Sequence, residues 1–374
     1  MKYYLIAGEA SGDLHASNLM RALMARDGDA RFRIWGGDRM VAQGGELVKH
    51  ITELAFMGFL EVLLNLRTIL RNIALCKKDL LKWKPDVLIL IDYPGFNLRM
   101  AKFAREQGIR VVYYISPQIW AWKQSRVKQI RRDVDRMLVI LPFEKTFYER
   151  FGVEVHYVGH PLLDALEEYT GDDSLGDFLQ ENQLAERPIV ALLPGSRKQE
   201  LSASLKLMAS MVRHFPAYQF VVAGVKAHPE SYYQELTAGT NIRILFGQTY
   251  RLLAHARAAL VTSGTATLET ALFGVPQAVC YRAGRISYLI ARRLVKVKYI
   301  SLVNLVMDRP LVREMIQDDF NARDLKQELN RLLNDQDYVG KILSGYSELR
   351  HKLGDKGASE DAASHIIDFL QAGN

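Results

Sequence analysis

Val87-Leu88-Ile89-Leu90-Ile91-Asp92-Tyr93-Pro94-Gly95 runs five apolar residues into a carboxylate and a Pro-Gly turn. An uninterrupted apolar run of this length marks a strand buried on both faces, as in a parallel sheet covered by helices. The pattern recurs on either side. Tyr3–Ala7, Arg31–Trp35, Val111–Ile115, Met137–Leu141 and Glu154–Val158 read as strands, and Leu14–Arg26 as a helix behind a Gly/Ser turn. The acidic, turn-rich segment Asp164–Arg187 reads as the interdomain linker region. The alternation then restarts with Ile189–Leu193, Gln219–Ala223, Ile242–Phe246, Ala259–Thr262 and Gln277–Tyr281, and a helical tail covers Asn321 to Ala372. Strands alternating with helices predict an α/β protein of two Rossmann-like domains facing across a cleft. Their expected extents are 1–165 and 166–340, with the helices of about 340–374 packing back on the first.

A chain of 374 residues suits two such cores better than one. Hydrophobic residues at 49% and a mean hydropathy of -0.07 fit a globular protein. No run approaches the roughly 20 apolar residues of a membrane-spanning helix. Tyr3–Ala7 is too short for a signal-peptide core and runs into Glu9 and Asp13, so secretion is not expected. Cys76 and Cys280 offer neither a disulfide framework nor metal-ligand spacing, which suits a reduced cytosol. A formal charge of +7 and a pI near 9.2 favour anionic partners, whether nucleic acid, anionic lipid or phosphorylated substrates.

Two turns in the first half carry candidate chemistry. Tyr3–Ala7 ends in Gly8-Glu9-Ala10-Ser11-Gly12-Asp13, where glycines let a ligand approach a helix N-terminus. The spacing is not G-x-G-x-x-G, and two carboxylates repel a pyrophosphate but suit sugar hydroxyls. A tight turn with Asp13 capping a helix explains the stretch equally well. Asp92 lies at a strand's C-terminal end, the edge where open α/β sheets bind ligands. It is a candidate general base for an acceptor hydroxyl, against the plainer reading of an Asx-turn ahead of Pro94.

In the second half, Leu193-Pro194-Gly195-Ser196-Arg197 repeats the strand-to-helix turn, and Arg197 offers a planar fork matched to phosphate oxygens, with Ser196 as a further donor. A surface arginine after a turn is the ordinary alternative. Thr262-Ser263-Gly264-Thr265-Ala266-Thr267-Leu268-Glu269 crowds small hydroxyl residues at a helix N-terminus, an anion cradle, with Glu269 set to accept from ribose hydroxyls. A capping box accounts for one of those hydroxyls. The P-loop spacing is absent, which disfavours an ATPase.

Over Phe56–Ile73, helical projection puts Glu61, Asn65, Thr68 and Asn72 on one narrow polar stripe. Phe59, Leu63, Leu66 and Leu70 belong to an apolar arc wider than the usual ~100°, flanked by Arg67, Arg71 and Lys78. Such a basic-flanked arc suits lipid or acyl chains, and a buried core helix is the alternative. Basic clusters follow Trp120 and Trp122 (Lys123 to Arg136) and span Arg282 to Lys298. They fit anionic membranes or phosphates, RNA, or simply a solvated face.

Taken together, these motifs resemble the lipid-A-disaccharide synthase family. Its marks here are Ala7-Gly8-Glu9-Ala10-Ser11-Gly12-Asp13-Leu14-His15, Ile91-Asp92, Tyr114-Ile115-Ser116-Pro117-Gln118-Ile119-Trp120-Ala121-Trp122, Leu141-Pro142-Phe143-Glu144, Val158-Gly159-His160-Pro161, Leu193–Arg197, Ser263–Glu269 and Ser301-Leu302-Val303-Asn304. They cover the chain from end to end and are specific as a set. The resemblance implies an inverting GT-B glycosyltransferase that needs no metal and no cofactor. Its donor would be UDP-2,3-diacylglucosamine and its acceptor 2,3-diacylglucosamine 1-phosphate (lipid X). It would be cytoplasmic and peripheral on the anionic inner membrane of a Gram-negative cell, with no nucleic-acid partner. By the same analogy Arg197, Ser196, Ser263, Gly264, Thr265, Glu269 and Asn304 lie near UDP, and Glu9 and Asp92 on the acceptor side, Asp92 as base. Where relatives carry Asp-Ala-Pro-Asp, this chain has Asp92-Tyr93-Pro94-Gly95, which keeps Asp92 and removes a competing carboxylate. The alternatives are another UDP-N-acetylglucosamine enzyme of this fold, a muramyl-type transferase or a 2-epimerase, and a non-catalytic basic protein binding RNA or lipid.

Overall fold

Seven parallel strands form the first sheet, in the order β3-β2-β1-β4-β5-β6-β7. They are β1 (Lys2–Ala7), β2 (Arg31–Gly36), β3 (Glu46–His50), β4 (Val87–Ile91), β5 (Arg110–Tyr114), β6 (Arg136–Val139) and β7 (His156–Tyr157). The computed structural model describes residues 1–54, 66–167, 169, 171, 174–284, 288 and 297–372. β4 is buried along its whole length, as its apolar run requires, and pairs β1 with Ala7 opposite Ile91. Six further parallel strands form a second sheet in the order β10-β9-β8-β11-β12-β13. These are β8 (Ile189–Leu193), β9 (Gln219–Gly224), β10 (Arg243–Phe246), β11 (Ala256–Thr262), β12 (Gln277–Tyr281) and β13 (Arg313–Ile316). Helices cover the strands because parallel neighbours need crossover connections. This is the two-sheet α/β architecture that the apolar runs predict.

Two compact units result, residues 1–166 with 353–374, and residues 167–352. The edge strands β3 and β13 escape the sequence reading for one reason. Neither is an apolar run, since β3 (Glu-Leu-Val-Lys-His) is half exposed and β13 begins Arg-Glu. The segment Asp164–Arg187, expected as linker, includes working structure. Leu162–Glu167 and Leu175–Glu181 are helices, the second capped by Ser174.

Asp164 has a definite role in the first unit. Its carboxylate accepts from the N–H groups of Gly357, Ala358 and Ser359 at 2.8, 3.3 and 3.0 Å, capping the helix Ala358–Gln371. Gly159 lies beneath this junction in a left-handed conformation, where an added Cβ would stand 3.4 Å from the Asp355 carbonyl. Arg110 and Arg136 close the far end over the Phe369 ring, and Arg110 donates to Leu370 O at 2.7 Å. The Val-Gly-His-Pro motif and Asp164 therefore dock the last helix. The helix Gln336–Lys352 belongs to the second unit.

Candidate active site

Strand order reverses once in each sheet, between β1 and β4 and between β8 and β11. Helices leave in opposite directions at such a point and open a crevice beyond the carboxyl ends of the two strands. The four motif turns are the four segments that leave these strands.

In the first unit, Glu9 is the residue before the helix Ala10–Arg26, two beyond the end of β1. Asp92 directly follows β4, and both are half-buried. Asp92 and Tyr93 adopt consecutive left-handed conformations, φ 43° and 47°, before Pro94 opens the helix Pro94–Glu106. Each such residue costs about 1–2 kcal/mol when it is not glycine. The Tyr93 ring covers Gly8, where an added Cβ would meet ring carbon at 2.4 Å, so only glycine fits there. Tyr93 donates to Leu54 O at 3.2 Å, and its hydroxyl is pushed up first by burial and then by the Glu9 charge. Tyr93 thus joins the two turns that carry Glu9 and Asp92.

Asp13, the other carboxylate of the first motif, is spent on backbone. It accepts from the N–H groups of Gly37, Arg39 and Met40 at 2.7, 3.2 and 3.2 Å, fixing the start of the helix Asp38–Ala42. It does cap a helix, but a neighbouring one rather than its own. Trp120 is buried and donates to Glu144 at 3.2 Å, while Trp122 is exposed with Lys123 Nζ 4.7 Å from its ring centre. Glu144 also accepts from the N–H groups of Ile140 and Leu141, so this motif pair anchors the helix Pro142–Glu149.

In the second unit, Ser196 and Arg197 are exposed at the start of the helix Lys198–Ala209. Gly195, at φ 93°, leaves room for Glu200, which accepts from Arg197 N at 3.3 Å and from Arg197 Nη1 at 3.5 Å. His228 Nε2 lies 2.8 Å from Ser196 O and braces the turn. Gly264 stands before the helix Thr265–Leu272, which has no side-chain cap. Ser263 and Thr267 turn their hydroxyls to the carbonyls of Ile300 and Gly264, at 2.7 and 2.8 Å, while Thr265 is exposed. The Glu269 carboxyl is pushed up by burial, opposed by a 3.2 Å hydrogen bond from Tyr250.

Asn304 is buried behind this loop. Its amide donates to Val312 O at 2.8 Å and Glu314 Oε1 at 3.0 Å, and accepts from Val312 N at 3.0 Å. Glu314 also receives Ile300 N, Ser301 N and the Ser301 hydroxyl at 3.0, 2.9 and 2.8 Å. The Ser-Leu-Val-Asn motif is held in one shape by this carboxylate, which the sequence reading did not single out.

Phe59 and Leu63 lie outside the described residues, as does the side chain of Leu66. Most of the basic cluster from Arg282 to Lys298 also lies outside them; Arg282 itself packs over the Phe320 ring. Leu70 is on the helix Leu66–Trp83 and 55% exposed, with Leu75 at 41% and Leu81 at 47%. The stripe expected to be polar divides: Thr68 is exposed, but Asn72 is buried, and Asp79 lies buried with it.

Comparison with known proteins gives the family and the fold. The model of the Lipid-A-disaccharide synthetase family matches residues 3–366. A lipid-A-disaccharide synthase of Syntrophus aciditrophicus is 42% identical over 98% of this chain and 97% of its own length. One from Pseudomonas putida (strain GB-1) is 40% identical over 98% of both chains. Among solved structures, the UDP-GlcNAc 2-epimerase of Neisseria meningitidis superposes with a TM-score of 0.69 at 13% identity over 100% of both chains. The glycotransferase of kitacinnamycin superposes with a TM-score of 0.65 at 15% identity, over 99% of this chain and 98% of that one. At those identities the likeness speaks for the fold, the two-sheet architecture of GT-B enzymes, while the sequence relatives speak for the family. The chain belongs to the lipid-A-disaccharide synthase family and is a glycosyltransferase.

Proposed function

We propose that the protein transfers 2,3-diacylglucosamine from UDP-2,3-diacylglucosamine to the 6-hydroxyl of 2,3-diacylglucosamine 1-phosphate, inverting the anomeric carbon. The products are the β-1,6 disaccharide 1-phosphate and UDP. Family membership over residues 3–366 is the observation that carries this reading. Asp92 takes the proton of the 6-hydroxyl as that oxygen bonds to C1. The C1–oxygen bond to the diphosphate breaks, and its electron pair leaves with UDP. Glu9, joined to the Asp92 turn through Tyr93, binds acceptor hydroxyls.

The donor lies on the second unit. Arg197 and Ser196 meet the diphosphate, and the uncapped helix at Ser263, Gly264 and Thr265 adds its dipole. The ion pair of Arg197 with Glu200 is long and exposed, so little is lost when the guanidinium turns to phosphate. Glu269 meets the ribose, and Asn304 shapes the loop beside it. The first unit works against the anionic inner-membrane surface. The outward leucines Leu70, Leu75 and Leu81 support this, and no described helix is long and apolar enough to cross a membrane.

Asp92→Asn tests the mechanism. Turnover of acylated donor should fall by roughly 10²–10⁴ with UDP affinity retained. Turnover close to the parent's removes Asp92 as base. Equally efficient use of UDP-N-acetylglucosamine without acyl chains would reassign the substrate.

A further inference from the structure

We propose that Tyr113 and Asn97 are positioning residues for the Asp92 carboxylate, a proposal that rests on the reading of Asp92 as the base. Both backbone groups of Asp92 are fixed by other residues. Its N–H donates to Ile115 O at 3.2 Å. Its carbonyl accepts from the Tyr113 hydroxyl at 2.5 Å and from Asn97 Nδ2 at 2.8 Å. The Asn97 amide reaches further, to Ile91 O at 3.1 Å and Ile6 O at 3.4 Å, so one side chain ties together the carboxyl ends of β1 and β4.

These contacts answer a specific need. Two consecutive left-handed residues that are not glycine persist only where the surroundings over-determine them. Here the carbonyl between them is held from two directions by groups that are fully buried. Tyr113 sits in β5, where burying a hydroxyl is costly unless it is bonded, and phenylalanine would fill the same volume. The hydroxyl stays protonated, through burial first and the Asp92 charge second, so it keeps the proton it donates here. Its bond goes to the backbone of the proposed base. A carboxylate displaced by even 1 Å loses much of its effect on a bound hydroxyl.

Tyr113→Phe is made in the parent and in Asp92→Asn, with kcat, KM for acceptor, UDP affinity and melting temperature measured for each. Positioning predicts a fall in kcat on the order of tenfold in the parent, little change in KM or UDP affinity, and no further fall in Asp92→Asn. Asn97→Ala should act in the same direction and more strongly; should it fail to fold, Tyr113→Phe alone decides. An unchanged kcat in Tyr113→Phe, beside a strongly impaired Asp92→Asn, overturns the positioning role and leaves the base intact. So does an equal fold loss in both backgrounds, which marks a general structural effect. Parental turnover in Asp92→Asn ends the reading of the base and this proposal with it.

Discussion

Arg33 grips Asp79 with two parallel hydrogen bonds, Nε to Oδ2 and Nη2 to Oδ1, each 2.7 Å. Tyr4 adds a third to Oδ2 at 2.9 Å and itself receives Trp35 Nε1 at 2.7 Å. The helix Leu66–Trp83 is therefore seated on its sheet by a buried charge while leucines face outward. Asp79→Ala leaves Arg33 without its main partner and should cost on the order of 3 kcal/mol, read as a lower urea midpoint. Glu46, which also accepts from Arg33, limits the loss. A midpoint unchanged within about 0.5 kcal/mol would show that the network does not seat the helix.

Leu70 and Leu75 give the converse result. Serine at both positions should change stability by no more than about 0.5 kcal/mol, because little packing is removed. Binding to anionic vesicles should weaken roughly tenfold for each leucine, the scale of its burial in lipid. A collapse in melting temperature with vesicle binding intact would make these residues core.

Arg197 is expected to act on both binding and chemistry. Arg197→Ala should weaken UDP and also slow turnover, since negative charge on the leaving diphosphate grows in the transition state. Arg197→Lys should restore little if the contact is a two-pronged fork. Full recovery by lysine points to simple charge, and an unaffected alanine variant rules the contact out.

Buried titratable groups in the first unit set a pH dependence with two signs. Burial lowers His15 to about 4, opposed by Asp164, and lowers His160 to about 3, with His15 adding to the effect. Burial pushes Glu144 up to about 7 against its hydrogen bonds from Leu141, Ile140, Trp120 and Ser116. A depressed histidine contributes stability that is present above 6.5 and lost as pH falls toward the folded value. A raised glutamate contributes stability that is full below 4.5 and lost as pH rises through 7. Between 4.5 and 6.5 the two oppose each other. His160→Gln should flatten the acid loss of stability, and Glu144→Gln should steepen it, in urea midpoints taken across that window. Superimposable profiles for parent and variants would contradict both assignments.

Asp164→Ala should loosen the docked last helix. Removing the cap over three N–H groups is expected to cost about 1–2 kcal/mol. Limited proteolysis should then cut near residues 353–357 sooner than in the parent. Unchanged cutting and an unchanged midpoint would mean that the Phe369 clamp alone holds the helix.

The runs Val87–Ile91 and Ile189–Leu193 determined the fold class by themselves, because five apolar residues in succession need cover on both faces. The turns after them were legible for the same local reason: Gly8, Gly195 and Gly264 mark sharp strand-to-helix connections, and the polar residues beside them stand at the binding edge. The edge strands β3 and β13 were not legible, since both carry the mixed polarity of half-exposed segments, whereas the opposite edges β7 and β10 were. Nor could sequence separate polar residues that serve the fold from those set near the site. Asp13, Glu144, Asp164 and Glu314 are carboxylates like Glu9 and Asp92, yet each holds backbone N–H groups, Glu144 at the start of its own helix and the others in separate segments. Asn97 and Tyr113 look like an ordinary helix residue and an ordinary strand residue. Their joint hold on Asp92 exists only because parallel pairing brings β4 beside β1 and β5, across long sequence separations that no local pattern encodes.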